Sequence, residues 1–138
     1  MKVVIDTNVF VSSFFGGHPR RVIDPWKSGD IVLCLSAEIV EEYTDVLERL
    51  GLGGEGELKE LLDLFARGHH ILFAAHPPKL KVVKADPGDD KFISCAVALK
   101  ADAIISGDKA LRAIRSYMRI KILDPRAFLR LIEPKPGA

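Results

Sequence analysis

Apolar residues follow two rhythms along this chain. Compact runs rich in β-branched residues occur at 2–6 (KVVID), 31–35 (IVLCL), 103–106 (AIIS) and 120–123 (IKIL), with a weaker one at 80–84. Consecutive apolar positions of this length suit strands covered on both faces. Stretches of helical period lie between them. The first, 19–28, opens with Pro19 and stops at Gly29; the second, 37–50, has Ser36 as its N-cap and Gly51 as its stop. A third, 55–67, puts Leu58, Leu61, Leu62 and Phe65 on one face, and further helices are expected at 89–100, 109–117 and 125–132. Strands alternating with helices predict a three-layer α/β/α domain around a parallel sheet of four or five strands.

At 138 residues the chain has the length of one domain, expected over 1–132 with a frayed tail at 133–138. Twenty basic residues against 19 acidic ones give a net charge of +1, which excludes a polycationic nucleic-acid coat and an acidic disordered tail. No apolar run approaches the roughly 18 residues of a membrane span. Asp6 interrupts the apolar start, so no signal peptide is expected and the expected location is cytoplasmic. Cys34 and Cys95 stand singly in apolar runs and read as buried thiols. The chain has no Gln, and Asn8 is its one Asn, a depletion of thermolabile amides that singles out Asn8 beside Asp6.

Residues 51–56 (GLGGEG) match GxGxxG but follow a helix, whereas a dinucleotide site needs those glycines between strand and helix; they read as a helix-to-helix linker. The chemistry is expected instead at the carboxyl edge of the sheet. Strand 2–6 ends in Asp6-Thr7-Asn8, strand 103–106 leads into Ser106-Gly107-Asp108, and Asp89-Asp90 opens a helix entered from the same side. Carboxylates about 4 Å apart repel by on the order of 4 kcal/mol at an effective dielectric near 20, so such a cluster implies protonation or a cation. An all-oxygen set favours Mg²⁺ or Mn²⁺ over zinc, and a metal held this way suits phosphoryl chemistry.

Each acid also has a structural reading. Asp108 can cap the helix that starts at Lys109, Asp89 or Asp90 can cap the next helix, Asp86 in Asp86-Pro87-Gly88 reads as a turn residue, and Asp124 before Pro125 as an N-cap. Asp6, closing an apolar strand in mid-sheet, is hardest to explain structurally. Glu42 borders the buried stripe of helix 37–50 and reaches the rim only if that helix leans over the sheet edge. His18, His69, His70 and His76 lack metal-ligand spacing and read as surface or loop residues, while Trp26, Phe14 and Phe15 read as core or interface. Residues 109–138 hold eight basic residues against two acids. At helical spacing, Arg112, Arg115 and Arg119 would form one ridge able to hold phosphates, or simply a solvated face.

Four segments carry a wider resemblance: VVIDTNVFVS, LSAEIVEEYTDVL, DDKFISCAVALKADAIISGDKAL and ILDPRAFL. Through them the chain resembles a PIN domain, the nuclease family that includes the VapC-like toxins of toxin/antitoxin pairs. The resemblance implies an acidic tetrad of Asp6, Glu42, Asp90 and Asp108, with Asp90 favoured over Asp89, and polar helpers at Asn8 and Ser106. It implies a Mg²⁺- or Mn²⁺-dependent ribonuclease acting as the toxin of such a pair, a homodimer, and a small antitoxin protein that blocks the acidic pocket. The other readings are a catalytically silent PIN-like binding module and a phosphoacceptor receiver domain, which would want an acidic pair after the first strand.

Overall fold

Val3, Val4 and Ile5 are wholly buried, and the strand they form, β1 (Lys2–Ile5), lies between two parallel neighbours, β2 (Val32–Ser36) and β4 (Ala103–Ile105). The computed structural model describes residues 1–15, 22–51 and 56–133. Its sheet is completed by β3 (Ile71–Ala74), β5 (Ser116–Tyr117) and β6 (Ile120–Leu123), giving the order β3-β2-β1-β4-β6-β5. Five of the strands run parallel, and the two-residue β5 adds an antiparallel edge.

The helices are α1 (Thr7–Phe15), α2 (Asp24–Ser28), α3 (Ala37–Arg49), α4 (Gly56–Ala66), α5 (Asp90–Leu99), α6 (Lys109–Arg112) and α7 (Pro125–Ile132), with a 3₁₀ turn at Pro87–Asp89. Helix α5 lies along β1 to β4, while α1 packs on α3. The flanking helices give the expected α/β architecture. Phe10 of α1 stacks on Tyr43 of α3 at 4.3 Å and 6°, and lies 6.0 Å from the Trp26 ring and 6.2 Å from that of Phe65. A stacked aromatic pair adds roughly 1 kcal/mol beyond the area it buries. Trp26 Nε1 donates to the His69 carbonyl at 2.8 Å, so the indole is buried without an orphaned donor. No helix among the described residues is long and apolar enough to cross a membrane.

Four elements differ from expectation. Of the expected helix 19–28, residues 19–21 lie outside the described residues and the helix itself is Asp24–Ser28. Helix α1 was not foreseen: TNVFVSSFF is rich in β-branched and aromatic residues, and burial of Thr7, Val9, Phe10, Val11, Ser13 and Phe14 leaves only the narrow exposed face of Asn8 and Ser12 to mark a helical period. The third strand is 71–74, and the run at 80–84 forms no strand. Its backbone donors are satisfied by the start of α5, where Asp90 Oδ1 accepts from Val82 N–H (2.9 Å) and Val83 N–H (2.7 Å). The expected helix 109–117 ends at Arg112, and a hairpin follows it. Tyr117 pairs with Ile120 across Met118 and Arg119, whose φ values of 48° and 70° are those of a type I′ turn.

Strands β1, β2 and β3 progress in one direction along the sheet, β4 and β6 in the other. The order therefore reverses between β1 and β4. In open parallel sheets, ligands bind beyond the carboxyl ends of the strands at such a switch point.

Candidate active site

The register that pairs Ile5 with Ile105 makes Asp6 and Ser106 the next residues out of adjacent strands. Asp6 still donates its N–H to the Ile105 carbonyl at 3.0 Å, then caps α1: its carbonyl accepts from Phe10 N–H (2.9 Å) and its Oδ1 from Val9 N–H (2.9 Å). The other oxygen, Oδ2, accepts from the Ser106 hydroxyl. The same Ser106 oxygen accepts from Asp108 N–H at 3.0 Å, so one buried hydroxyl ties both acidic loops together. Asp108 in turn caps α6, with Oδ1 accepting from Ala110 N–H at 3.3 Å. Burial raises the pKa of Asp6, the two donors oppose that, and the charges of Asp108 and Glu42 add to the rise.

Helix α3 does lean over the sheet edge. Ser36 caps it, and two turns later the buried Tyr43 hydroxyl donates to the Ile5 carbonyl at the end of β1. Burial, then the nearby Asp6 carboxylate, holds the Tyr43 phenol well above its ordinary pKa, so it remains a donor. The neighbouring Glu42 is thereby carried to the rim, where Oε2 accepts from the Thr7 hydroxyl and Oε1 from Lys91 Nζ at 2.9 Å.

The acid from the start of α5 is Asp89, in place of the expected Asp90. With Oδ1 taken by the Val82 and Val83 amides, Asp90 faces a separate hollow beside His76 and Lys79. The carboxylate oxygens of Asp86, Asp89 and Asp108 lie within 4.8 Å of one another. Asp89 Oδ2 is shut from solvent with no hydrogen-bond partner among the described residues. Burial, contact with Asp108, and the charges of Asp108, Asp86 and Asp6 push Asp89 up to about 8. Asp86, read from sequence as a turn residue, does fill that role, accepting from Gly88 N–H at 3.1 Å, and joins the acids as well.

These acids line a cleft of about 640 Å³ together with Thr7, Asn8, Ser12, Arg49 and Gly107. Asn8 is exposed at its mouth. Arg49 escaped sequence reasoning, although it follows Glu42 by seven residues, two helical turns on the same face. Arg112, Arg115 and Arg119 form no ridge. Arg112 ends α6 and lies 3.6 Å from Asp124, whereas Arg115 (φ 65°) and Arg119 (φ 70°) have left-handed backbone in the turns that follow. None of the three lines the cleft. His69 Nε2 is engaged with the Lys27 carbonyl at 2.9 Å, and His18 lies outside the described residues. Cys34 and Cys95 are buried free thiols, raised by burial to about 11 and about 12.

The donor set fits a hard divalent cation. It is entirely oxygen, three carboxylates converge, and one buried carboxylate oxygen has no hydrogen-bond partner among the described residues; burial, then the neighbouring acids, holds a proton on Asp89 that a cation would replace.

A family model for the PIN domain matches residues 2–110. An uncharacterized protein of Methanocaldococcus jannaschii is 33% identical, over 96% of this chain and 92% of its own length. PIN domains are generally nucleases and usually depend on a divalent metal, in agreement with an acidic cleft at the switch point of a parallel sheet. The chain belongs to the PIN domain family.

Proposed function

We propose that the cleft hydrolyses RNA phosphodiester bonds with the help of Mg²⁺ or Mn²⁺. The observation that carries this reading is the unpartnered, buried Asp89 oxygen facing Asp86 and Asp108 inside an oxygen-lined cleft. Asp89 and Asp108, with Asp86 and Asp6 beside them, would hold the ion; when bound, it supplies Lewis acidity and neutralises charge on the phosphate. The remaining work falls to the chain. Ser106 fixes the Asp6 carboxylate against the Asp108 loop, limiting the reorientation needed as the substrate binds. Asn8, exposed at the mouth, offers an amide donor, and Arg49 offers a guanidinium able to grip a phosphate flanking the scissile bond.

The same reading extends to a toxin role, a homodimer, a small antitoxin whose cation would fill the acidic cleft, and a cytoplasmic location. The test is cleavage of labelled RNA with Mn²⁺, with chelator, and with Asp108→Asn. Cleavage that needs the metal and is lost in the variant supports the proposal. Cleavage indifferent to both refutes it, and no cleavage of any RNA with Mn²⁺ favours the silent binding module. Light scattering and co-purification test the dimer and the partner.

A further inference from the structure

Glu42 and Asp89 both line the cleft, under contrasting circumstances. Both oxygens of Glu42 are engaged by the chain's own donors, Oε2 by the Thr7 hydroxyl and Oε1 by the Lys91 ammonium at 2.9 Å, whereas Asp89 keeps a buried oxygen with no partner. The Lys91–Glu42 pair is part-buried, with side chains 19% and 33% exposed. Lys91 is also an unusual cation for its place. As the second residue of α5 it stands at the positive end of the helix dipole, where a lysine is disfavoured unless something else holds it. Glu42 is that counter-charge, and the Phe92 ring, 6.0 Å from Nζ, adds a weaker contact.

We infer that Lys91, which lines the neighbouring hollow and reaches Glu42 from there, is a built-in cation that neutralises the Glu42 side of the cleft, so that the site takes one divalent ion, at Asp86, Asp89 and Asp108, and Glu42 serves as the anchor of Lys91. The inference rests on the metal-dependent reading above and assigns its stoichiometry. A second ion near Glu42 would have to displace an ammonium 2.9 Å from its carboxylate and would then be repelled by that displaced charge. Lys91 is here a positioning residue, and Thr7 holds the other Glu42 oxygen so that the carboxylate cannot swing toward the remaining acids.

The test is titration of the full chain with Mn²⁺, followed by calorimetry and by the paramagnetic resonance signal of the free ion. One ion per chain is expected for the wild type. Glu42→Gln should keep that ion with an affinity reduced less than about fivefold, while Asp108→Asn should lose on the order of 100-fold. Lys91→Met should admit a second, weaker ion that is absent again in Lys91→Arg and in the Glu42→Gln/Lys91→Met double variant. Should Lys91→Met fail to fold, the Glu42→Gln and wild-type titrations still decide. Two ions of similar affinity in the wild type, or loss of the first ion in Glu42→Gln as complete as in Asp108→Asn, would overturn the inference and leave the metal site standing. Mn²⁺ binding unaffected by Asp108→Asn would overturn both.

Discussion

Replacing Asp89 by Asn should stabilise the metal-free protein at neutral and alkaline pH. In the folded chain Asp89 titrates near 8, against an ordinary value of 3.8, because it is partly buried beside Asp108, Asp86 and Asp6. Between those two values the folded state holds a proton that the unfolded state has released, so stability falls as pH rises from about 4 to about 8. The undiscounted slope is about 1.4 kcal/mol per pH unit for one such proton. The site is open enough to water to screen much of that, which leaves about 1–2 kcal/mol by pH 8. Asn removes the titration and offers an amide that can donate to Asp108, as the protonated acid would. For a chain of 138 residues the gain corresponds to a Tm increase of about 3–7 °C. Thermal unfolding by circular dichroism with chelator, from pH 4 to pH 8, should show the two proteins converging near pH 4 and the variant ahead at pH 8. Excess Mn²⁺ should reverse the order, because only the wild type keeps the full ligand set. A variant no more stable than the wild type at pH 8 with chelator would refute the account of Asp89 as a strained carboxylate.

Asp90→Ala should cost about 1–3 kcal/mol in urea unfolding, since it orphans the Val82 and Val83 amides, yet change Mn²⁺ affinity less than twofold; a large loss of affinity would return Asp90 to the metal site. Ser106→Ala should lower the rate of RNA cleavage on the order of 10- to 100-fold in a protein whose circular dichroism is unchanged, because Asp6 and the Asp108 loop lose their common tie. Met118→Asn/Arg119→Gly should raise stability by about 0.5–1 kcal/mol in the same urea assay, as both positions have positive φ; a decrease would show that these side chains have contacts worth more than the backbone strain.

Much of the architecture is legible because the strands around the switch point are long apolar runs with punctuation. KVVID, IVLCL, AIIS and IKIL each fall on a strand, and Ser36, Asp108 and Asp124 cap the helices that follow them. Local pattern fails where tertiary burial overrides it. TNVFVSSFF has little helical propensity and becomes α1 through the Asp6 cap and an aromatic cluster drawn from α1, α2, α3 and α4. The hairpin at 116–123 uses Met and Arg in a turn whose usual marker is Asn-Gly, so its signal is silent. In the site, Asp6, Asp108 and Ser106 follow from strand ends, but Asp89 and Asp90 are adjacent in sequence and differ only in which way a 3₁₀ turn aims them. That turn starts from an Asp86 cap, and its outcome depends on the segment at 80–83, which needs the Asp90 carboxylate for its own amides. Nor does periodicity reveal that Lys91 reaches back across 49 residues to Glu42.

The tie between Asp6 and Ser106 joins residues 100 positions apart. Asp6 is therefore synthesised well before its partners Asp89, Ser106 and Asp108. No partial chain that stops before residue 108 contains the acidic cleft, and the pairing of β4 with β1 that aligns Ser106 with Asp6 joins residues 100 apart, the slow kind of contact to form. Under the RNA-cleaving role proposed above, that order of assembly leaves the emerging polypeptide without a cutting site until Asp108 has been made.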